Sequence, residues 1–449
     1  MVDRLVVIGG DAGGMAAASQ ARRHDPDLEI VALERGSRTS YSACGIPYLV
    51  AGDVPSADDL VARTPAEFRA NQRIDVRTGH EVRAVDLDAR TVEVRDLARE
   101  RTIRLPFDHL LFGTGAVPVR PPIPGIDAPW VRGVQSLADA EQLLARAREV
   151  GCRTVVVVGA GYIGLEMAEA FHRWGAKVVL VDGEATMMAR TLDADMGTLL
   201  GDVVRGIGID VRLGERVEAF ADGVVVTDQG SYPADLAVLG LGVRPNSDLA
   251  ADAGVALGVR GAIAVDARQR TDIDGVWAAG DCADTYDLVG RRRVHIALGT
   301  VANRTSRVAG INIGGGYARF PGVVGTAITR VCGTEVARTG LTEAAATRAG
   351  YEFVVARIEA TTKAGYFPGA EPMTVKLLAE RGTGRVLGAQ IVGGAGSAMR
   401  IDTVATALHA EMDVHQVIDL DLAYAPPFSP VWDPVQVAAR AAARELARS

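Results

Sequence analysis

The sequence predicts an α/β fold built around two nucleotide-binding units, because one plan occurs twice along its 449 residues. The plan is a strand, a glycine-rich turn, a helix and a second strand. Residues 4–36 give LVVI, GGDAGG, MAAASQARR and EIVALE, and residues 153–183 give TVVVV, GAGYIG, LEMAEAFHRW and KVVLV. In such a βαβ unit the amides of the helix N-terminus hold the pyrophosphate of a dinucleotide. Two bound nucleotides are therefore expected.

The composition is that of a compact, enzyme-like chain and disfavours several other classes. The formal net charge of -8 argues against nucleic acid or an anionic membrane surface as the main partner. Apolar runs are strand-length and broken by glycine, so no membrane span is expected. The four cysteines lack paired spacing, which favours a reducing cytoplasm over a secreted disulfide scaffold. The seven histidines do not cluster, so no metal site is expected.

The second unit matches the dinucleotide fingerprint in full. Gly159, Gly161 and Gly164 give G-x-G-x-x-G, and Asp182 ends the following strand, where a carboxylate accepts ribose hydroxyls. No basic residue comes directly after Asp182, which favours NADH and leaves NADPH possible.

The first unit is less regular. Gly9 and Gly14 take the outer positions and Glu34 ends the second strand, but Asp11 replaces the middle glycine. A carboxylate beside a pyrophosphate is electrostatically unfavourable. Either the Asp11 side chain points away from the nucleotide or the turn differs slightly.

Three further segments carry chemistry. FGTGAVPVRPPIPG follows a strand and indicates a glycine hairpin and a domain crossover. IDGVWAAGDCAD places Asp281 after a buried strand and a tight turn, where a carboxylate can hold a polyol hydroxyl. SYSACGIPYLV contains Cys44, and the next cysteine is Cys152. Because a local disulfide needs two cysteines a few residues apart, Cys44 cannot form one.

Together GGDAGG with Glu34, FGTGAVP, GAGYIG, LGVRPN and AAGDCAD resemble the FAD-dependent pyridine nucleotide-disulfide oxidoreductases over essentially the whole chain. With its single cysteine in SACGIPY, the chain is similar to one branch of this family. That branch contains coenzyme A-disulfide reductases, NADH peroxidases and NADH oxidases. The resemblance implies two Rossmann-like domains and a C-terminal α+β dimerisation domain. Their implied ranges are 1–118 with 250–325 for FAD, 119–249 for NAD(P)H, and 326–449 for dimerisation.

The resemblance also implies site residues. For FAD and the pyridine nucleotide these are Gly9, Gly10, Ala12, Gly13, Gly14, Glu34, Arg35, Ser42, Thr114, Gly115, Gly159, Gly161, Tyr162, Ile163, Gly164, Glu166, Asp182, Gly242, Gly280, Asp281 and Ala297. For a coenzyme A-type substrate they are Gln20, Arg23, Ser40, Asn303 and Arg307. Tyr162 resembles a nicotinamide gate, although packing is an equally good interpretation of it.

Three features separate members of this branch. The peroxidases and oxidases usually have a histidine where this chain has Ala12. The coenzyme A-disulfide reductases have CG[IL]PY after the thiol, as here. They also have two tyrosines supplied by the other subunit of a homodimer, which Tyr366 in GYFPG and Tyr424 in YAPPFSP match. Ala43 and Trp432 depart from the reductases beside the expected substrate site and leave the substrate thiol open.

The leading hypothesis is a reductase in which Cys44 attacks a small disulfide or persulfide, with Tyr366 and Tyr424 assisting the leaving thiolate. A position at a helix start is expected to lower the pKa of the Cys44 thiol. One alternative is an NADH oxidase or peroxidase that uses a Cys44 sulfenic acid. Another is a flavin redox sensor or an electron carrier to a protein partner. Cys152, Cys282 and Cys332 are expected to be small packing residues.

Overall fold

The computed structural model describes residues 2–448; Met1 and Ser449, which begin and end the expected first and last domains, lie outside them. Up to residue 118 the elements are β1 Arg4–Ile8, α1 Ala12–His24, β2 Glu29–Glu34, α2 Ile46–Ala51, α3 Pro65–Gln72, β3 Ile74–Thr78, β4 His80–Asp86, β5 Thr91–Asp96, β6 Arg101–Pro106, β7 His109–Phe112 and β8 Ala116–Pro118.

The middle of the chain holds β9 Val131–Gly133, α4 Leu137–Glu149, β10 Thr154–Val158, α5 Tyr162–Arg173, β11 Lys177–Asp182, α6 Ala194–Gly206, β12 Asp210–Leu213, β13 Val217–Ala221, β14 Val224–Thr227, β15 Ser231–Pro233, β16 Leu236–Leu239 and β17 Val243–Pro245. Then follow α7 Asp248–Asp252, β18 Val276–Ala278, β19 Thr285–Asp287, β20 Arg292–Val294 and α8 Gly299–Ile313.

The last part holds β21 Ala327–Val331, β22 Thr334–Gly340, α9 Glu343–Arg348, β23 Phe353–Thr361, β24 Pro372–Glu380, β25 Val386–Gly393, α10 Ile401–His409, α11 Val414–Ile418 and α12 Pro434–Arg448. None of the described helices has the length and apolar character needed to cross a membrane.

The two predicted units form two separate parallel sheets. The first sheet has the order β18-β7-β1-β2-β3, and the second has the order β12-β11-β10-β16-β9. Their central strands, β1 and β10, pair in parallel with both neighbours, with Val6 opposite Val31 and Val156 opposite Val179. These strands read as continuous apolar runs because helices and loops cover both faces of a parallel sheet.

The C-terminal part has a different architecture. Its five strands form an antiparallel sheet in the order β21-β22-β25-β24-β23. Helices α10, α11 and α12 share one apolar core with this sheet, which includes Val375, Ile391 and Val435. Two parallel α/β sheets followed by an antiparallel sheet with helices confirm the predicted fold class.

The second unit contacts the rest of the protein in two places that bear on the site. Helix α2, which begins two residues after Cys44, packs against α5 of the second unit. On the other side, the buried Lys376 ammonium of β24 lies 2.6 Å from Asp195 Oδ1 of α6. Lys376 also contacts Glu343 and lies 3.3 Å from Asp193 Oδ2. The cysteine segment and the C-terminal sheet therefore both contact the second unit.

Candidate active site

The first glycine turn places a helix N-terminus against a sheet edge. Gly9 has a φ of +110° and donates its amide to Leu33 O over 2.9 Å. A β-carbon on Gly13 would lie 3.4 Å from Ala279 O, so this turn also faces the Ala279–Gly280 turn. The start of α1 and the AAGD segment thus form one cradle, although the sequence carries them as two separate motifs.

Asp281 supplies the buried acceptor of that cradle. Its Oδ1 atom is buried and has no hydrogen-bond partner among the described residues. Burial raises its pKa to about 6. A desolvated carboxylate without donors is costly unless a ligand donates to it. Asp281 therefore fits the polyol hydroxyls of the FAD that the sequence predicts.

The acidic residues that end β2 and β11 are oriented in the same way. Glu34 accepts the Gly10 amide at 2.8 Å and the Gly36 amide at 2.6 Å. Asp182 accepts the Ala160 amide at 2.5 Å and, with its other oxygen, the Glu184 amide at 2.8 Å. Each carboxylate is thus fixed beside its own glycine turn, where a ribose is expected.

The Asp11 side chain, at the middle position of the first turn, has a hydrogen-bond partner within the protein. Its Oδ1 accepts the Tyr41 amide over 3.0 Å, which ties the first turn to the segment that carries Cys44. Burial raises the Asp11 pKa to about 6. The sequence marked Asp11 as unfavourable but gave no sign of this partner, because the two residues are 30 positions apart.

Cys44 is exposed and lies in a short 3₁₀ turn, Ala43–Gly45, just before α2. A β-carbon on Gly299 would lie 3.8 Å from its Sγ, so the sulfur is beside the first turn of α8. Partial desolvation of the sulfur raises the Cys44 pKa, and the carboxylates of Glu166, Asp281 and Asp11 raise it further. The expected lowering is therefore wrong for this chain alone, since desolvation, with the carboxylates adding to it, outweighs the hydrogen bond from the Cys44 backbone amide.

Tyr162 and Glu166 lie on the first turns of α5, directly after the second glycine turn. Tyr162 is half-buried, and the neighbouring Ile163 is 39% exposed. The Glu166 carboxylate accepts a hydrogen bond from the Thr329 hydroxyl of β21 at 2.8 Å. Sequence reasoning missed Thr329, because no local motif marks a contact across 163 residues.

Tyr366 and Tyr424 lie together at the surface of the C-terminal domain. They are 78% and 45% exposed. The pKa of Tyr424 is raised by desolvation and by its hydrogen bond with Tyr366. Within the described chain neither tyrosine hydrogen-bonds to Cys44, so one subunit alone does not join the tyrosine pair to the thiol.

The predicted substrate residues occupy two packed helices and one loop. Gln20 and Arg23 are on α1, and Asn303 and Arg307 are on the exposed face of α8. The two helices pack so closely that a β-carbon on Gly310 would lie 2.2 Å from Ala17 O. The remaining one, Ser40, donates its amide to Gly10 O and has a φ of +50°.

The remaining predicted cofactor residues fall into three places. Thr114 and Gly115 precede β8, which pairs with β17 just after Gly242. Arg35 forms an ion pair of 3.9 Å with Glu81. The other three lie at the ends of elements. Ala12 begins α1, Ser42 comes two residues before Cys44, and Ala297 comes two residues before α8.

Family models match most of the chain. The model described as pyridine nucleotide-disulphide oxidoreductase matches residues 3–305, and the dimerisation domain of the same family matches residues 326–434. The chain belongs to the pyridine nucleotide-disulphide oxidoreductase family, and the predicted family is confirmed.

Individual relatives narrow the comparison. The chain is 37% identical over 448 residues to an NAD(P)H coenzyme A polysulfide/persulfide reductase of Pyrococcus horikoshii, covering 98% of each chain. It is 34% identical over 448 residues to an NADH oxidase of Methanocaldococcus jannaschii, covering 99% of each. Among solved structures, an NAD-dependent persulfide reductase from A. fulgidus is 39% identical with a TM-score of 0.96, covering 98% of this chain and 83% of that one.

Proposed function

We propose that the chain is an NAD(P)H-dependent, FAD-containing reductase whose Cys44 reduces a small disulfide or persulfide of coenzyme A type. The observation that carries this proposal is the exposed thiol of Cys44, which lies beside the first turn of α8 and faces the buried Asp281 carboxylate. A reactive thiol next to a flavin-type cradle is the arrangement that a single-cysteine reductase needs. The names of the persulfide reductases among the relatives support the same reaction.

We assign FAD to residues 1–118 and 250–325, NAD(P)H to 119–249 and dimerisation to 326–449. The free, buried oxygen of Asp281 supports the first assignment. The full fingerprint before Asp182 supports the second. NADH is the preferred nucleotide, because Gly183 and Glu184 follow Asp182 and offer no cation to a 2′-phosphate.

FAD held by the first glycine turn and Asp281 would take up a hydride from NAD(P)H and so supply two electrons to the Cys44 sulfur. The Cys44 thiolate attacks one sulfur of the substrate R–S–S–R, the S–S bond breaks, and RS⁻ leaves. Tyr424 donates a proton to RS⁻, and its raised pKa keeps it protonated for that step. Reduction of the mixed disulfide on Cys44 by the two electrons that NAD(P)H supplies would restore the Cys44 thiolate and release the second thiol. One NAD(P)H and one proton thus convert one disulfide into two thiols.

The five predicted substrate residues suit a phosphorylated thiol. Arg23 and Arg307 are exposed on neighbouring helices, and guanidinium groups bind phosphate oxygens by paired hydrogen bonds. We assign Gln20, Ser40 and Asn303 to the same substrate site.

We infer that the working form is a homodimer. The C-terminal domain exposes Tyr366, Phe428, Val431 and Trp432, which are 78%, 76%, 67% and 47% exposed. A surface of this kind favours association. A second copy of the chain would cover it and bring its tyrosine pair to Cys44. The reduced state of four unpaired cysteines fits the cytoplasm.

A second candidate is an NADH oxidase that uses a Cys44 sulfenic acid. The Methanocaldococcus jannaschii relative bears that name. Ala12, where peroxidases and oxidases usually have histidine, argues against it.

Replacement of the thiol tests the proposal. Cys44→Ser is expected to abolish NADH-dependent reduction of coenzyme A disulfide, with FAD retained and NADH oxidation by ferricyanide largely unchanged. Cys152→Ser is the matched control, because Cys152 is half-buried and lies in another part of the fold, and it should keep full activity. Unchanged disulfide reduction in Cys44→Ser would overturn the assignment. Rapid NADH-dependent oxygen consumption by the wild type, without reduction of disulfides, would favour the oxidase. A monomer by sedimentation would contradict a site that combines Cys44 with the tyrosine pair of a second copy.

A further inference from the structure

One partly buried hydrogen bond joins the C-terminal domain to the second unit, at the helix that follows its glycine turn. The Thr329 hydroxyl donates to Glu166 Oε1 at 2.8 Å. Thr329 is 6% exposed on β21, and Glu166 lies one turn into α5, after the GAGYIG turn. A residue 163 positions away in sequence therefore contacts a carboxylate assigned to the pyridine nucleotide.

No cation neutralises this carboxylate. Within residues 2–448 no Lys, Arg or His nitrogen forms an ion pair with Glu166, and no second side chain hydrogen-bonds to it. The titratable groups that face it are Tyr162 and Glu169 of α5 and Cys44 and Tyr48 of the cysteine segment. Arg330, the neighbour of Thr329 on β21, acts on Tyr48 rather than on Glu166. Among the described residues, the Thr329 hydroxyl is thus the one side-chain group that hydrogen-bonds to this carboxylate.

The hydroxyl is held at a fixed position. Thr329 pairs with Val336 of β22 in a regular antiparallel ladder. The sheet that contains both strands is fixed to the second unit by the Lys376 cluster with Asp193 and Asp195. Because the donor belongs to a rigid sheet and the acceptor to the adjacent helix, the bond sets the direction of the Glu166 side chain.

The hydrogen bond also affects ionisation. Burial raises the Glu166 pKa, and the bond from Thr329 opposes this rise because it favours the charged form. A carboxylate beside a nicotinamide ring favours the positively charged oxidised ring over the neutral reduced one. The state of Glu166 therefore bears on both nucleotide affinity and hydride donation.

We propose that Thr329 is a positioning residue that keeps Glu166 ionised and directed at the nicotinamide, so that the C-terminal domain completes the pyridine nucleotide site. This inference rests on the proposed function only in that Glu166 belongs to the NAD(P)H site. It does not depend on which disulfide the enzyme reduces.

Three variants of the full-length protein separate the hydroxyl from simple packing. Thr329→Val keeps the shape and removes the donor, whereas Thr329→Ser keeps the donor. Thr339→Val removes the hydroxyl of another buried threonine of the same sheet, whose partner is Thr326 rather than Glu166. The assay is NADH oxidation by ferricyanide across a range of pH, and calorimetry measures the Kd of NAD⁺ for the same proteins.

Thr329→Val is expected to raise the Kd for NAD⁺ about 10-fold and the KM for NADH by a smaller factor, since the lost hydrogen bond no longer favours the charged form of Glu166, which attracts the oxidised ring. The pH midpoint of the KM should move up by about one unit, because a neutral Glu166 persists to higher pH. The kcat should change less than the KM. Thr329→Ser and Thr339→Val should both resemble the wild type.

Unchanged KM, Kd and pH midpoint in Thr329→Val would overturn the inference. Equal defects in Thr329→Ser and Thr329→Val would overturn it too, because the hydroxyl would then be irrelevant. Failure of the wild type to reduce any disulfide would refute the proposed substrate and leave these readouts intact. Failure of the wild type to bind NAD⁺ would refute both.

Discussion

The two glycine turns share one backbone and differ in what they bind within the protein. Gly9 and Gly159 have φ values of +110° and +108°. A β-carbon on Gly9 would lie 2.2 Å from Gly113 O, and one on Gly159 would lie 2.4 Å from Gly240 O. In both units the glycine turn and the segment that follows the neighbouring strand lie too close together for a side chain at Gly9 or Gly159. The likeness is therefore dictated by packing, before any nucleotide binds.

The difference lies at the middle position of each turn. In the first unit Asp11 accepts the Tyr41 amide and so holds the cysteine segment. In the second unit Gly161 faces open space. One turn is thus committed to an internal contact while the other stays accessible. This suits the tightly held flavin that we propose for the first unit and the exchanging nucleotide that we propose for the second.

The largest effect is expected where both turns are most crowded. A β-carbon on Gly14 would lie 1.9 Å from Gly9 O, and one on Gly164 would lie 1.7 Å from Gly159 O. Gly14→Ala and Gly164→Ala should each lower the free energy of unfolding by about 3 kcal/mol or more, because backbone must move. Urea denaturation followed by circular dichroism would measure this.

Gly161→Ala is the matched control for that pair. No atom lies within 4 Å of its added β-carbon, so the loss should stay below about 1 kcal/mol. If Gly161→Ala destabilised as much as Gly164→Ala, the comparison of crowded and open positions would fail. If only Gly14→Ala lost its bound flavin, the two turns would differ in the nucleotide they hold as well as in their internal contacts.

Local sequence predicts what these turns share and misses where they differ. Strand, glycine and helix periodicity identify both units because each is encoded within about 35 residues. The Asp11–Tyr41 bond, the Thr329–Glu166 bond and the Lys376 cluster join residues far apart along the chain, and no spacing rule marks them. The raised pKa of Cys44 was missed for the same reason, since it results from desolvation in the folded chain and from carboxylates of three separate segments.

The next effect concerns the charge of Asp11. Its pKa rises from an ordinary 3.8 to about 6 in the folded chain. Between these values the folded state binds more protons than the unfolded state, so stability falls as pH rises from about 4 to about 6. The fall is on the order of 3 kcal/mol. Asp281, whose pKa is also raised to about 6, adds a similar fall over the same range. Asp11→Asn should therefore remove only the part due to Asp11, as urea denaturation of flavin-free protein at several pH values would show.

Asp11→Ala separates charge from contact in the same experiment. It removes the titrating group and also the acceptor of the Tyr41 amide. It should therefore lose the same pH dependence and be less stable than Asp11→Asn by about 1 kcal/mol at every pH. An undiminished pH dependence in Asp11→Asn would assign the titration to another group.

The smallest effect is expected at the contact by which the second unit reaches the same cysteine segment. Arg173 of α5 forms two hydrogen bonds of 2.6 Å with Asp53, just after α2. The side chains are 40% and 35% exposed, so water and salt screen the pair. Arg173→Gln should lower the free energy of unfolding by less than about 1 kcal/mol, and about 0.5 M salt should reduce the difference further. A loss above about 2 kcal/mol, beyond the range of exposed ion pairs, would mean that the exposed contact holds the cysteine segment as firmly as the buried Asp11 does.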